Sequence, residues 1–193
     1  LKLEGETFYF SDEGKMVRGE VQIGGKTYHF ASRGQRILLI NPWNTVPEDY
    51  QPDLVSLPGK YGYSGTKVDR SCYDALIKML DDCAAQCGPA LVVSGYRSFE
   101  QQTILFSRKV DRLVASGVSK DDARTKAATV VAYPGTSEHQ LGLAMDIVDS
   151  ALQVLEEEQE DMPVQKWLME HSWKYGFVLR YPSDKTEVTG IIY

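Results

Sequence analysis

Four segments of the chain carry apolar residues at helical spacing behind a residue that suits a helix start. They predict helices over Asp69–Gln86, Ser98–Ser116, Ser119–Val131 and Pro163–Tyr175. In the first, the predicted inward stripe is Cys72, Ala75, Leu76, Met79, Leu80 and Cys83. Gln101 and Asp122 stand three residues after their serines and complete capping patterns, and Gly176 ends the last helix.

Shorter apolar runs predict strands between and after these helices. They are Arg36–Ile40, Ala90–Ser94, Ala144–Val148, Phe177–Tyr181 and Ile191–Tyr193. The proline-rich segment Asn41–Lys67 predicts an extended lead-in, and the acidic segment Leu155–Asp161 a solvated loop or helix face. Because helices and strands do not alternate strictly, we expect an α+β domain with a small, mostly antiparallel sheet and surrounding helices.

The first 36 residues contain an internal repeat with an offset of 20 residues. The segment from Gly5 to Phe10 matches the segment from Gly25 to Phe30, and each predicts a β-hairpin made of an aromatic strand, a glycine-containing turn and a second strand such as Val21–Ile23. The repeat resembles the wall-binding repeats of Gram-positive surface proteins. We therefore divide the chain into hairpin repeats at 1–36 and a main domain at 37–193. The repeats serve either as a ligand-binding module or as a linker or cap.

Charge and composition narrow the classes of partner. The net charge of −6 argues against nucleic acid or an anionic membrane as the main partner, and no apolar run is long enough to span a membrane. Cys72 and Cys83 stand about 16 Å apart on one predicted helix, too far for a disulfide. Cys83 and Cys87 are nearer, and we expect all three thiols to be free.

The candidate chemistry centres on His139 and Asp146, which stand seven residues apart. Imidazole nitrogen and carboxylate oxygen are both zinc ligands, and Gly142 allows the backbone to bend so that the two side chains point into one cleft. In the predicted strand, Asp146 is a lone carboxylate on an otherwise apolar face, where a metal ion would compensate its charge. The alternative is a surface histidine and an ordinary acid at a strand end.

Several separated motifs, in order, resemble the VanY-type D-alanyl-D-alanine carboxypeptidases and the related L,D-carboxypeptidases. They are Ser94-Gly95-Tyr96-Arg97-Ser98 with Gln102, Ser137-x-His139-x6-Asp146, Trp167-Leu168, and Tyr175-Gly176-Phe177-Val178-Leu179-Arg180-Tyr181-Pro182. The resemblance covers roughly residues 38–193. It implies the D,D-peptidase/hedgehog-like fold, a zinc cofactor, and removal of the terminal D-alanine from peptidoglycan stem peptides outside the cytoplasm.

The resemblance also implies a role for each matching residue. His139 and Asp146 correspond to zinc ligands, and Arg97 to the residue that clamps the substrate carboxylate through paired hydrogen bonds. Gln102 and Ser137 correspond to positions that hydrogen-bond substrate, and Tyr181 to a pocket tyrosine. Each residue also has an alternative role without substrate. Arg97 would form a surface ion pair, Gln102 would be an exposed helix residue, Ser137 a turn residue and Tyr181 a core aromatic.

The family completes its site with a Glu-x-x-His element that supplies the general base and the third zinc ligand, and neither follows Tyr193. We therefore expect this chain to be a piece of a longer enzyme. His171 lies on an apolar helix face and is better explained as a core histidine bonded to a carbonyl; His29 is a weaker candidate ligand. The spacing supports neither Glu138 nor Glu170 as base. Asp149 is either a residue that orients a ligand or, preferably, a surface acid.

Two rival functions differ in class from a carboxypeptidase. One is a non-catalytic wall-binding module, in which the repeats bind wall polysaccharide and an incomplete peptidase domain grips peptide ends. The other is a zinc amidase of similar fold, which would need no Arg97 clamp. The sequence does not separate D,D from L,D preference, which depends on the shape of the pocket.

Overall fold

The computed structural model describes residues 2–3, 6–11, 14–31 and 36–189 of the chain. The chain forms two compact units, Leu1–Ile40 and Asn41–Tyr193. The boundary between the two units therefore falls after Ile40, whereas the repeats in the sequence predicted a boundary after residue 36. The predicted strand Ile191–Tyr193 lies outside the described residues. No described helix is long and apolar enough to cross a bilayer.

The first unit is built from short antiparallel strands. β1 (Lys2–Leu3) pairs with β2 (Glu6–Thr7), and β3 (Gly19–Ile23) pairs with β4 (Lys26–Phe30), to which β5 (Arg36–Ile37) adds. Val21–Ile23 therefore pairs with the aromatic strand that follows it and not with the one before, because Gly24 and Gly25 at positive φ form a tight two-residue turn. The predicted strand at Arg36–Ile40 is shorter than expected.

The second unit interleaves short strands with helices. Its strands are β6 (Leu54–Ser56), β7 (Lys67–Asp69), β8 (Ala90–Ser94) and β9 (Asp146–Asp149). Its helices are α1 (Arg70–Gln86), α2 (Phe99–Ala115), α3 (Lys120–Ala128), α4 (Pro163–His171) and α5 (Thr186–Thr189). β6 pairs with β7 and β8 with β9, both antiparallel. The predicted α+β class is confirmed.

Side-chain caps start the first three helices where the sequence predicts them. Asp69 accepts a hydrogen bond from the amide of Ser71, and Ser98 and Gln101 form the reciprocal capping box. Ser119 accepts from the amide of Asp122. These caps fix the point at which each strand or loop turns into its helix, and the Ser98 cap follows directly after Arg97.

The main core lies between α1, α4 and the strands. Leu76, Met79, Leu80 and Cys83 of α1 are buried as predicted, and they pack with the buried residues Val68, Val92, Val164, Trp167 and Leu168. A second cluster, made of Phe106, Val110, Ala123 and Ala127, joins α2 to α3. The three cysteines are free, with the Cys83 and Cys87 Sγ atoms 3.4 Å apart.

The β8–β9 pair carries the start of the site. Ile147 pairs with Val92 and Asp146 with Ser94, and the register shifts between Val92 and Ser94. This irregularity lies at the end of the ladder, next to Gly95 and Arg97 in the chain. Such irregularities in a strand pair often change the direction of side chains beside functional sites.

Several predicted elements are wrong in detail. Phe177–Tyr181 is not a strand: no described strand pairs with it, and Val178 is 75% exposed. Asn41–Lys67 includes β6, and the helix from Pro163 changes to a 3-10 turn at Ser172–Tyr175. The acidic segment forms a 3-10 turn at Glu157–Asp161, in which Gln159 is buried. The Gln159 side-chain amide can be buried because it makes hydrogen bonds to three backbone groups.

Candidate metal and substrate site

A single 3-10 turn at Glu138–Leu141 presents His139. Gly142 ends the turn in the left-handed region at φ 75°, and its amide donates to the His139 carbonyl. The carbonyl of Gly142 accepts the amide of Asp69 at 2.8 Å, and the Tyr50 hydroxyl donates to the Leu141 carbonyl at 2.9 Å. The turn is thus attached to the start of α1, which limits the positions that His139 can take.

A backbone carbonyl fixes the orientation of the His139 imidazole. Nδ1 lies 2.8 Å from the carbonyl oxygen of Gly95, which can only accept, so Nδ1 carries the proton. In the neutral ring the lone pair is then on Nε2, which lies 3.5 Å from Oδ2 of Asp146; in the protonated ring Nε2 carries a proton that faces this oxygen. A carbonyl partner on the far nitrogen is the usual arrangement of a metal-binding histidine.

Asp146 lies at the first position of β9, beside two basic side chains. Its Oδ2 is 3.5 Å from His139 Nε2 and 3.6 Å from a terminal nitrogen of Arg97. Burial by itself would raise the pKa of this carboxyl. The neighbouring His139 side chain, the charge of Arg97 and the nearby Ser94 favour the carboxylate and outweigh burial, so the pKa lies below its ordinary value. Asp146 is therefore an anion at neutral pH.

Arg97 is held from both its backbone and its side chain. Its amide donates to the His139 carbonyl at 3.1 Å, and one terminal nitrogen donates to Oε1 of Gln102 at 3.1 Å. Burial lowers the pKa of Arg97, and the negative charge of Asp146 offsets only part of this effect. An arginine nevertheless stays charged at any physiological pH. Among the described residues its buried Nε has no hydrogen-bond partner. The guanidinium therefore keeps donor capacity that the fold does not use.

The other three predicted substrate contacts differ in their surroundings. Gln102 is fully buried, not exposed on its helix, and its Nε2 donates to the carbonyl of Ala132 while its Oε1 accepts from Arg97. Ser137 is buried at the start of the His139 turn, where its carbonyl accepts the amide of Gln140. Tyr181 is half-buried, and burial, followed by the charge of Glu138, raises its pKa.

The sequence assigned no role to an ion pair that adjoins this site. Nε of Arg180 donates to both carboxylate oxygens of Glu138 at 2.9 Å. Glu138 precedes His139 and Arg180 precedes Tyr181, so the pair joins two of the motifs. In the sequence, the only sign of this ion pair is that one motif contains an acidic residue and the other a basic residue. Because both oxygens of Glu138 are engaged, the pair also argues against this residue as general base.

The donor set fits part of a zinc site. Two ligands at about 2.0–2.2 Å from a tetrahedral ion lie about 3.4 Å apart, close to the 3.5 Å between His139 Nε2 and Asp146 Oδ2. Within the described ranges, no group of three or more histidine, cysteine or acidic side chains gathers in metal-binding positions. The described residues therefore offer two candidate ligands and no third.

The remaining candidate ligands lie in other environments. His171 stacks on Trp167 with ring centroids 4.8 Å apart, as expected of a core histidine, and its Nδ1 does not make the predicted bond to a carbonyl, since it has no hydrogen-bond partner among the described residues. His29 belongs to the first unit, beside Glu20. Asp149 is buried and accepts the amide of Ala151, so the preferred description of it as a surface acid is also wrong.

Comparison with known proteins gives consistent matches. The family model described as VanY, D-alanyl-D-alanine carboxypeptidase, matches residues 65–193. A D-alanyl-D-alanine carboxypeptidase of Enterococcus faecalis is 37% identical over 155 residues, which are 80% of this chain and 54% of that protein. The chain thus spans about half the length of the curated relatives it matches.

Two solved structures share the fold. A vancomycin-resistance D,D-pentapeptidase VanY in complex with Zn(II) superposes with a TM-score of 0.69 at 38% identity, covering 80% of this chain and 81% of that one. The L,D-carboxypeptidase LdcB superposes with a TM-score of 0.69 at 33% identity, covering 80% and 71%. The similarity extends across the region that carries His139, Asp146 and Arg97.

Proposed function

Since the chain belongs to the VanY family of D-alanyl-D-alanine carboxypeptidases, we propose that the full-length protein is a zinc carboxypeptidase. Its substrate would be a peptidoglycan stem peptide, from which it removes the C-terminal D-alanine. The observation that carries this proposal is the largely buried guanidinium of Arg97, whose Nε has no partner among the described residues, beside Asp146 and His139.

Arg97 supplies the specificity for a chain end. A free peptide carboxylate accepts two parallel hydrogen bonds from a guanidinium, and such pairs are stronger than neutral hydrogen bonds. Asp146 alone does not use up this capacity, because its contact at 3.6 Å is long for a hydrogen bond. Gln102 accepts a hydrogen bond from the other terminal nitrogen and helps to orient the guanidinium. A substrate carboxylate would therefore complete an arrangement that the fold has already oriented.

His139 and Asp146 would hold the zinc ion, which the VanY D,D-pentapeptidase structure contains. Bound zinc would supply a Lewis acid for the attack of water on the scissile amide. The Gly95 carbonyl holds the imidazole in the tautomer that this requires. We propose that the third ligand and the general base come from residues outside the described ranges. Ser137 and Tyr181 are proposed to line the substrate pocket.

A second candidate differs only in the penultimate residue of the substrate. LdcB, named as an L,D-carboxypeptidase in peptidoglycan recognition, superposes as well as the VanY structure, although it is less identical. An L,D enzyme would cleave D-alanine from a tetrapeptide stem and leave the D-Ala-D-Ala end intact. Comparing the two stems as substrates separates the two activities.

The proposed substrate places the protein outside the cytoplasm, at the cell wall. The hairpin repeats in residues 1–36 are proposed to bind wall polysaccharide, which would concentrate the enzyme near its substrate. The rival, a non-catalytic wall-binding module, is disfavoured because such a module has no use for a fixed histidine tautomer beside an ionised carboxylate.

The test measures D-alanine release by the full-length, zinc-loaded protein from a pentapeptide ending in D-Ala-D-Ala. We expect release by the wild type and a loss of roughly a hundredfold in kcat/KM for Arg97→Gln, because two charge-assisted bonds to substrate disappear. Arg70→Gln is the matched control, since it removes an exposed arginine paired with Asp53 at 2.9 Å. No release by the wild type from either stem peptide would refute the proposal.

A further inference from the structure

We propose that the ion pair between Glu138 and Arg180 is a positioning device that holds Tyr181 at the substrate site. It would tether the segment Phe177–Pro182 to the turn that bears His139. The inference rests on the proposed function, because it assigns residues that shape the pocket of that same site. Neither residue of the pair is proposed to touch the reacting atoms.

The geometry of the pair is that of a specific contact between distant parts of the chain. Nε of Arg180 lies 2.9 Å from both oxygens of Glu138, across 42 residues of sequence. The two side chains are 37% and 21% exposed, in contrast to 66% and 47% for the surface pair of Lys60 with Asp81. Partial burial weakens screening by solvent, so this pair contributes more than an ordinary surface salt bridge.

Among the described residues, the other hydrogen bonds of the segment lie at its two ends, at Phe177 and at Pro182, whose carbonyl accepts the amide of Lys185. Phe177 packs against the main core, and its amide donates to the carbonyl of Ser172. Val178 and Leu179 are 75% and 52% exposed, so apolar burial contributes little to fixing the residues that follow. The pair at Arg180 therefore joins this part of the segment to the turn that bears His139.

Tyr181 lies within electrostatic reach of the whole site. The guanidinium carbon of Arg180 is 5.2 Å from the centre of the Tyr181 ring. Burial and the charges of Glu138 and Asp146 raise the pKa of Tyr181, and the charges of Arg180 and Arg97 lower it. The ring thus lies against Arg180 of the tether, and the charges of Arg97 and Asp146 also act on it.

The first arm of the test is a double-mutant cycle on activity. Glu138→Gln and Arg180→Gln should each lower kcat/KM roughly tenfold, mainly through a higher KM. The double variant should lose no more than the worse single variant, because either change releases the same tether. Zinc content should stay at the wild-type value, and the melting temperature should fall by no more than about 4 °C, as expected for the loss of one partly buried ion pair. Arg180→Lys, which keeps the charge, should lose less than Arg180→Gln.

The control for this arm is Arg70→Gln, which breaks an exposed arginine pair of the same length. Losses that multiply in the double variant, or an unchanged KM in Glu138→Gln, would overturn the inference. A fall in zinc content in step with activity would overturn it as well, since the pair would then act on the metal site and not on the pocket.

The second arm needs no catalysis. Trypsin cleaves after Arg180 only when that side chain is released, so Glu138→Gln should be cut there roughly tenfold faster than the wild type. Arg70→Gln should be cut at the wild-type rate. Equal rates for the wild type and Glu138→Gln would overturn the tether whether or not the protein releases D-alanine. A wild type without activity would refute the proposed function alone.

Discussion

His139, Asp146 and Arg97 stabilise one another because each would be costly to bury alone. Arg97 is 19% exposed and Asp146 33% exposed, so both are largely removed from water. Their opposite charges offset part of that cost, and Gln102 and Gly95 satisfy further polar groups. The unpartnered Nε of Arg97 leaves the arrangement incomplete until an acceptor arrives.

At this scale the clearest prediction concerns zinc. In the full-length protein, His139→Ala should lower the affinity for zinc at least roughly a hundredfold, because it removes a nitrogen ligand held in the required tautomer. Competition with a chelator measures the affinity. His171→Ala is the control and should keep wild-type zinc affinity, since that ring stacks on Trp167. Equal zinc affinity in His139→Ala and the wild type would refute the ligand assignment.

The sequence identified these three residues through their motifs, but it did not reveal what holds them. The carbonyl of Gly95 has no signature in a sequence, because any residue supplies one. The contact of Gln102 with Arg97 depends on the turn that the Ser98 cap introduces between them. Glu138 and Arg180 were both visible in motifs, yet only the fold shows that they meet.

At the scale of elements, the sequence predicts a structure well when all the interacting residues lie close together in the chain. The helix starts at Asp69, Ser98 and Ser119 depend on residues two or three positions away, so the sequence predicts them well. A strand needs a partner in another part of the chain. Phe177–Tyr181 has an apolar run but no described partner strand, and its Arg180 forms an ion pair with Glu138 of a distant turn.

The turn between the two proposed zinc ligands gives a test at this scale. Gly142→Ala should destabilise the fold by about 2–4 kcal/mol, because φ is 75° and a Cβ would lie 2.9 Å from the backbone nitrogen of Asp69. Gly176→Ala is matched in φ, at 86°, but meets open space, so it should cost only about 1 kcal/mol. Denaturant unfolding measures both, and equal costs would contradict the described packing of the turn.

The whole molecule divides its proposed tasks between two units. Both hydrophobic clusters lie within Asn41–Tyr193, so the second unit does not depend on the first for its core. From the aromatic repeat, the sequence predicted a separate N-terminal part over residues 1–36. Composition carried no information about the activity itself, which required the order and spacing of the motifs.

Removal of residues 1–40 from the full-length protein tests that division. The shortened protein should release D-alanine from a soluble peptide at the wild-type rate and melt at the same temperature. Its retention on insoluble cell walls should fall, because the proposed wall contacts are lost. A co-sedimentation assay measures the retention, and unchanged retention would contradict a wall-binding role for the repeats.

The central claim is that Arg97 selects a free C-terminal carboxylate for cleavage beside His139 and Asp146. The most direct measurement compares the full-length, zinc-loaded protein on a D-Ala-D-Ala peptide and on the same peptide with an amidated C-terminus. We predict cleavage of the free acid and at least a roughly hundredfold lower kcat/KM for the amide, which cannot accept paired charge-assisted bonds. Equal cleavage of acid and amide would contradict the account.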